Sequence, residues 1–460
     1  MHGTNDTPRL VADSLTAAEK LSMTFRRFAA FSAAGGVVLI AITAVAMLWA
    51  NSPWAGTYST VFGSTPLRVT LGEFGWTASL RDWINDALMA VFFFMIGLEI
   101  KREVLFGELS SIKRAALPLI AAVGGMAVPG AIYAVINKGG DGMHGWGIPT
   151  ATDIAFALGV MTLLGSRVPA GLKVFLTTLA VADDLGALIV IALFYTDSPS
   201  VSNILIAFAA LAVMYGMNKS GVRSSGLYLL VGAVVWWFIH HSGVHATIAG
   251  VLTAMTIPSE SRADIRAFAT FTGSTVKGLE SQATASTAPL SGEQQERIGA
   301  IEEACERAQS PLQRLEHALV PWCGFFIIPI FALANAGVPL STGDVALGDI
   351  VRYPECLGVT LGLTLGKPIG IFLASFIAVK LGLGVLPSGV NFKHIHGAAW
   401  LAGIGFTMSL FIAGLAFKSN GEVGVLQLNA AKLGILGGSS VAAILGLIIL
   451  TLATRSKSPS

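Results

Sequence analysis

Twelve apolar runs, separated by short polar or glycine-rich breaks, set the pattern of this 460-residue chain. They lie near residues 29–50, 84–100, 115–136, 147–165, 171–195, 201–217, 226–241, 243–257, 315–337, 355–379, 397–417 and 428–453. A hydrocarbon layer about 30 Å thick takes roughly 20 helical residues at 1.5 Å each, so the pattern predicts a chain of membrane-spanning helices. The run 29–50 is long enough to span and reads as an uncleaved first helix rather than a leader. Between 51 and 83, Leu67–Leu71 and Trp76–Leu80 flank Gly72 and Gly75, a spacing that predicts a β-hairpin. Its edge strand can pack on its own loop or pair with a second copy.

The polar stretches divide the chain into a tail at 1–28, spans at 29–257, an insertion at 258–313, spans at 314–453 and a tail at 454–460. The first half of the insertion is rich in Ser, Thr, Ala and Gly, as at Thr284–Pro289, and reads as flexible. Its second half, Ser291–Gln309, is Glu-rich with helical character and a start at Ser291-Gly292-Glu293.

Composition agrees with the pattern. Hydrophobic residues are 53% of the chain, charged residues 12%, and the mean hydropathy is +0.71. Soluble domains carry about 25% charged residues, so the reading is an all-α integral membrane protein. A net charge of +2 gives no reason to expect a nucleic-acid partner. Cys305, Cys323 and Cys356 match neither a metal-ligand spacing nor a disulfide framework. Arg26, Arg27, Lys101, Arg102, Lys113, Arg114, Arg167, Lys173, Lys219, Arg223, Lys380, Lys393, Arg455 and Lys457 fall on one side under this count. The other side holds scattered charges such as Lys138, Arg352 and Lys418, so the positive-inside rule makes both termini cytoplasmic.

Candidate chemistry follows from the few charges inside the runs. Asp183 and Asp184 lie within an apolar run from about Leu172 to Tyr195, roughly 16–18 Å from either end. A charge there costs at least about 2.5–3.5 kcal/mol, so two in succession need a reason beyond packing. Two neighbouring carboxylates in low dielectric also disfavour joint ionisation. Asp153 follows Pro149 and Thr152 in a stretch that breaks the helix, where a carboxylate can satisfy exposed N–H groups. A second glycine-rich interruption runs Leu401–Ser409. Paired interruptions in two halves point to a transporter with inverted repeats and a midplane site, although glycine-rich spans also serve close packing. Lys367, followed by Pro368, is too central to snorkel; Asp153, Asp183 and Asp184 are its candidate partners, and the proline marks a bend. Sodium is a hard cation that takes oxygen ligands, which Asp184, Asp153 and Thr152 can supply. Cation and proton would then compete for the same oxygens, giving exchange without a cofactor.

Several long stretches, in order, resemble the NhaA family of bacterial sodium/proton antiporters. They are Trp83–Phe93 (WINDALMAVFF), Gly97–Glu103 (GLEIKRE), Ala151–Gly159 (ATDIAFALG), Asp183–Ala187 (DDLGA), Ser242–Thr247 (SGVHAT), Phe331–Gly337 (FALANAG), Gly366–Pro368 (GKP) and Gly403–Ser409 (GIGFTMS). The resemblance runs from about residue 29 to 450. It implies about 12 transmembrane helices, inverted-topology repeats, two interrupted crossing helices and a panel that mediates homodimer formation. It implies that Asp184 is the principal cation and proton carrier and that Asp183 pairs with Lys367 until cation or proton breaks the pair. Asp153 would offset the helix N-termini at the crossing and Lys367 the C-termini. Electrogenic export of Na⁺ or Li⁺ across the bacterial inner membrane, with more protons entering than sodium ions leaving, follows from the same likeness, as does activation at alkaline pH. Glu99, Glu103 and Glu316 match the cytoplasmic acidic cluster of that response, and His245 matches a histidine tied to pH response and dimer contacts. The sequence departs from the family pattern at Gln313, where a lysine is often found, and at Val320, where a histidine occurs.

Two other classes fit these residues less well. A membrane-embedded prenyltransferase would use a DDxxD motif with Mg²⁺, and Asp183–Ala187 lacks its third aspartate; an intramembrane aspartyl protease needs its carboxylates on different helices. A sodium-coupled symporter would need an organic solute, whereas exchange would not.

Overall fold

The structure, a computed structural model, describes residues 34–71, 74–196, 199–261, 264–281, 290–340, 347–418 and 421–455. The expectations for the 1–28 tail with Arg26 and Arg27, for the start of the first helix at 29–33, for Thr284–Pro289 and for the tail beyond 455 lie outside them. The chain forms two compact units. The first comprises residues 1–81, 113–187 and 324–460; the second comprises 82–112 and 188–323.

Among the described residues, seven helices are long and apolar enough to cross a membrane, and up to nine if each bent pair is one span. The seven are Leu80–Leu105, Ile112–Ile136, Ala170–Phe194, Val201–Lys219, Pro311–Asn335, Pro354–Lys380 and Val423–Thr454. The bent pairs are Gly35–Ala50 with Ala55–Ser64, turned by 114°, and Phe392–Ala402 with Phe406–Ala416, turned by 44°. Ser225–His240 and Ala246–Thr256 are shorter apolar helices. The run 147–165 is broken as its proline suggests: a 3₁₀ segment, Asp141–Thr150, stops before Ala151–Asp153, and an α-helix resumes at Ile154–Thr162.

The first unit is tied together by backbone approaches that only glycine permits. A Cβ on Gly370 would fall 2.1 Å from the Gly124 carbonyl oxygen, and one on Gly124 would fall 2.4 Å from that of Gly370. Helices Ile112–Ile136 and Lys367–Lys380 therefore touch backbone to backbone, the small-residue contact that membrane helices favour. One turn away, a Cβ on Gly366 would lie 2.7 Å from Pro129 Cα. The hairpin also belongs here: Pro66–Leu71 pairs antiparallel with Phe74–Ser79, in register Pro66 to Ser79 and Leu71 to Phe74.

In the second unit, Gly250 of Ala246–Thr256 faces the Ala90 carbonyl, where a Cβ would be 2.3 Å from the oxygen, and Gly97 faces Ala254. Around that crossing Phe94, Leu98, Met214, Tyr228, Ile239 and Leu312 form a buried apolar cluster.

Two sequence expectations need correction. The stretch 51–64 is helical at Ala55–Ser59 and Thr60–Ser64 rather than loop, closed by an aromatic contact of Tyr58 with Phe62 at 5.1 Å. The first half of the insertion holds the helix Ile265–Ser281, which packs Phe268, Thr272 and Thr275 on its half-buried face and leaves Ile265 and Phe271 exposed. Its short polar residues masked a helical period. The bend expected at Lys367-Pro368 lies directly after a π-turn, Gly362–Gly366, and the helix continues to Lys380 within one span.

Candidate functional site

The break at Ala151–Asp153 and the break at Gly403–Gly405 meet within the first unit. The Asp153 backbone N–H donates to the Ile404 carbonyl at 2.7 Å, and the Ser409 hydroxyl donates to the Ile148 carbonyl at 2.7 Å. Gly405 is needed there, because a Cβ would press on Ser409 Oγ at 2.2 Å. Two helices, Ile154–Thr162 and Phe406–Ala416, thus start side by side with their N–H groups unpaired by their own turns.

Asp153 serves both starts with one carboxylate. Its Oδ1 accepts from the Phe156 N–H at 3.0 Å, the N-cap bond of its own helix. Its Oδ2 accepts from the Thr407 N–H at 3.1 Å and from the Thr407 hydroxyl. A buried negative charge, 2% exposed, therefore faces two positive helix ends. The sequence placed Asp153 at a helix start; it did not single out Thr407, whose only signal was its place in the second break.

On the other side of the break, Lys367 Nζ donates to Asp183 Oδ2 at 2.6 Å and to the Thr152 hydroxyl. The Thr152 hydroxyl reaches Asp183 Oδ2 at 2.7 Å and the Ala402 carbonyl, at the end of Phe392–Ala402, at 2.9 Å. Its single proton is shared between them. Lys367, Asp183 and Thr152 are all 0% exposed. Of the three partners the sequence left open for the lysine, the structure selects Asp183.

Asp184 is 1% exposed and leaves the helix Ala170–Phe194 about 100° around from Asp183. The two carboxylates therefore look in different directions. Asp183 Oδ1 faces Gly125, where a Cβ would lie 3.9 Å away. The five residues Asp153, Thr152, Asp183, Asp184 and Lys367 are thus buried in one unit, with Thr152 the shared hydroxyl between cation and carboxylate. No group of three or more His, Cys, Asp or Glu arranged to hold a metal ion occurs among the described residues. Carboxylate and hydroxyl oxygens, the kind that Asp184, Asp153 and Thr152 carry, are ligand types of hard cations.

The remaining candidates lie in the second unit. Arg102 gathers three carboxylates: Glu103 at 3.0 Å, Glu99 at 4.0 Å and Glu316 in direct contact. Glu103 also accepts from the Glu108 N–H at 3.1 Å. The i and i+4 spacing of Glu99 and Glu103 did not reveal the arginine between them as the hub. His245 is the N-cap residue of Ala246–Thr256, and its Nε2 bonds to the Tyr195 carbonyl. Lys101 donates to the Met255 and Ile257 carbonyls at the other end of that helix, a basic C-cap that the sequence reading passed over.

The family profile described as Na+/H+ antiporter 1 matches residues 26–450. A protein of Oleidesulfovibrio alaskensis described as Na(+)/H(+) antiporter NhaA is 47% identical over 442 residues, covering 96% of each chain. Proteins with the same description from Koribacter versatilis and Helicobacter pylori are 46% and 48% identical, covering 94% of this chain and 92% and 95% of their own. The profile and the relatives span nearly the whole length, and the chain belongs to the Na+/H+ antiporter 1 family of multi-pass membrane proteins.

Proposed function

We propose that this chain exports Na⁺ or Li⁺ in exchange for protons, by competition of the two at Asp184. The observation that carries the reading is the buried Lys367–Asp183–Thr152 cluster beside Asp184, at the point where two interrupted helices meet. A buried acid–base pair in a membrane is stable only while both partners are present and hydrogen-bonded. A cation drawn to Asp184 repels the Lys367 ammonium next to it and loosens its bond to Asp183. Thr152 is then released to offer its oxygen to the ion, and Asp153 supplies a fixed negative charge whose position the two helix starts hold. Protonation of the aspartates expels the cation. Exclusion of one ion by the other, with access alternating between the two sides, couples their movements in opposite directions without a resident cofactor.

The proposal extends to twelve crossings in two inverted repeats, counting the broken run at 141–162 and the two short helices as spans. It also includes electrogenic exchange, both termini in the cytoplasm of a bacterial inner membrane, and a homodimer. Glu99, Glu103 and Glu316, gathered on Arg102, set the pH response, with His245 a further contributor. The family relationship and the printed description of its members, Na(+)/H(+) antiporter, support the exchange itself.

The test is a transmembrane pH gradient in everted vesicles, read as dequenching on addition of Na⁺ or Li⁺ without an organic solute. The native chain dissipates the gradient and Asp184→Asn does not. Normal exchange by the Asn variant would remove Asp184 from its assigned role.

A further inference from the structure

A fourth carboxylate of the first unit is buried and takes no part in the cluster above. Glu355 is 5% exposed and sits in the first turn of Pro354–Leu361, on the span that continues to Lys367, about 18 Å further along at 1.5 Å per residue. Its Oε1 accepts from Gln427 Nε2 at 3.0 Å, and its Oε2 is buried with no hydrogen-bond donor among the described residues. An acidic residue in a first turn is often held by the helix N-terminus. Here the side chain takes none of those N–H groups, and among the described residues no Lys, Arg or His forms an ion pair with it.

A second orphan oxygen belongs to the same turn. Asn137, 4% exposed, spends both amide protons on carbonyls: Tyr133 at 3.0 Å and Pro354, the residue before Glu355, at 3.2 Å. Those two acceptors fix which end of the amide is nitrogen, so Asn137 Oδ1 is a true acceptor, and it too is buried without a donor among the described residues. Gly142 brings the backbone up against the carboxylate, since a Cβ there would lie 2.3 Å from Glu355 Oε1. Its carbonyl is fixed by the Tyr133 hydroxyl at 2.8 Å.

Two buried oxygen acceptors without donors are costly, and each needs an explanation. A proton on Glu355 would neutralise it but leave Asn137 Oδ1 without a donor, and water would satisfy the oxygens but leave an ionised carboxylate unpaired. A dehydrated hard cation satisfies both, because it binds carboxylate and amide oxygens and carries the missing positive charge. We propose that Glu355 and Asn137 form a second station for a hard monovalent metal ion, sodium or lithium, on the span of Lys367. It takes from the exchange reading only the choice of cation.

Thermal unfolding of the purified, full-length chain tests this apart from transport. Sodium is varied against choline at constant ionic strength, in an Asp184→Asn background that removes the principal site. Sodium raises Tm by at least about 2 °C in Asp184→Asn, because an ion that binds only the folded state stabilises it. The rise is lost in Asp184→Asn/Glu355→Gln and reduced in Asp184→Asn/Asn137→Ala. No sodium-dependent rise in Asp184→Asn, or an equal rise after Glu355→Gln, overturns the proposal. If the Gln variant does not fold, Asn137→Ala decides: a weakened rise supports the station and an unchanged one overturns it. Vesicle exchange measured on Asp184→Asn alone judges the main carrier separately.

Discussion

The two acid–base clusters of this chain use the same chemistry in different surroundings. In the first unit, one ammonium meets one carboxylate with both side chains 0% exposed. In the second, one guanidinium meets three carboxylates, with Arg102 36% exposed and Glu316, Glu103 and Glu99 12%, 14% and 20% exposed. Water and salt screen the second cluster, so each contact there is worth little and the whole responds to ionic strength. Nothing screens the first, so it is stable only when paired, and any ion that alters one partner must alter the other. Depth thus separates a pair that stands or falls as a unit from a cluster whose contacts weaken one at a time.

Breaking the buried pair has the largest predicted effect. Lys367→Ala strands a carboxylate and costs about 3–5 kcal/mol, read as a fall in Tm, with exchange lost. Combining it with Asp183→Asn removes the stranded charge and recovers most of the Tm without restoring exchange. If the double variant is no more stable than Lys367→Ala, the pair is not what the charge balance rests on. Next comes Asp153→Ala, which uncaps two helix starts at once, for about 1–2 kcal/mol each. Thr407→Val removes only the hydroxyl bond to Asp153 and leaves the backbone bond, so it costs less than Asp153→Ala, about 1 kcal/mol. The smallest effect sharpens the contrast: Arg102→Gln changes stability by about 1 kcal/mol or less and keeps maximal exchange within about threefold. It moves the pH window of exchange, and that movement shrinks at high salt. Loss of exchange in Arg102→Gln at every pH would contradict a graded role.

Much of the architecture could be read from the chain because membranes enforce local rules. The apolar lengths located the helices, and the paired interruptions at Pro149 and Gly403–Gly405 located the crossing. Buried charge singled out Asp153, Asp183, Asp184 and Lys367 because each is costly in apolar surroundings. The hairpin strands and the Ser291 helix start were also legible, since turn glycines and a capping box are written in neighbouring residues. Long-range choices were not. Thr407 lies 254 residues from Asp153 and shows no local periodicity that would pair them. Arg102 reads as one more residue of a basic helix end until Glu316 is brought to it, from 214 residues away. Ile265–Ser281 reads as flexible because its Ser, Thr and Gly content outweighs an apolar period.

Competition of two ions for one site is most directly tested by sodium binding to the purified chain across pH. If each bound sodium must displace a proton, its apparent Kd weakens by up to about tenfold for each unit the pH falls, and sodium addition releases protons into weakly buffered solution. A Kd independent of pH, with no proton release, would contradict the account.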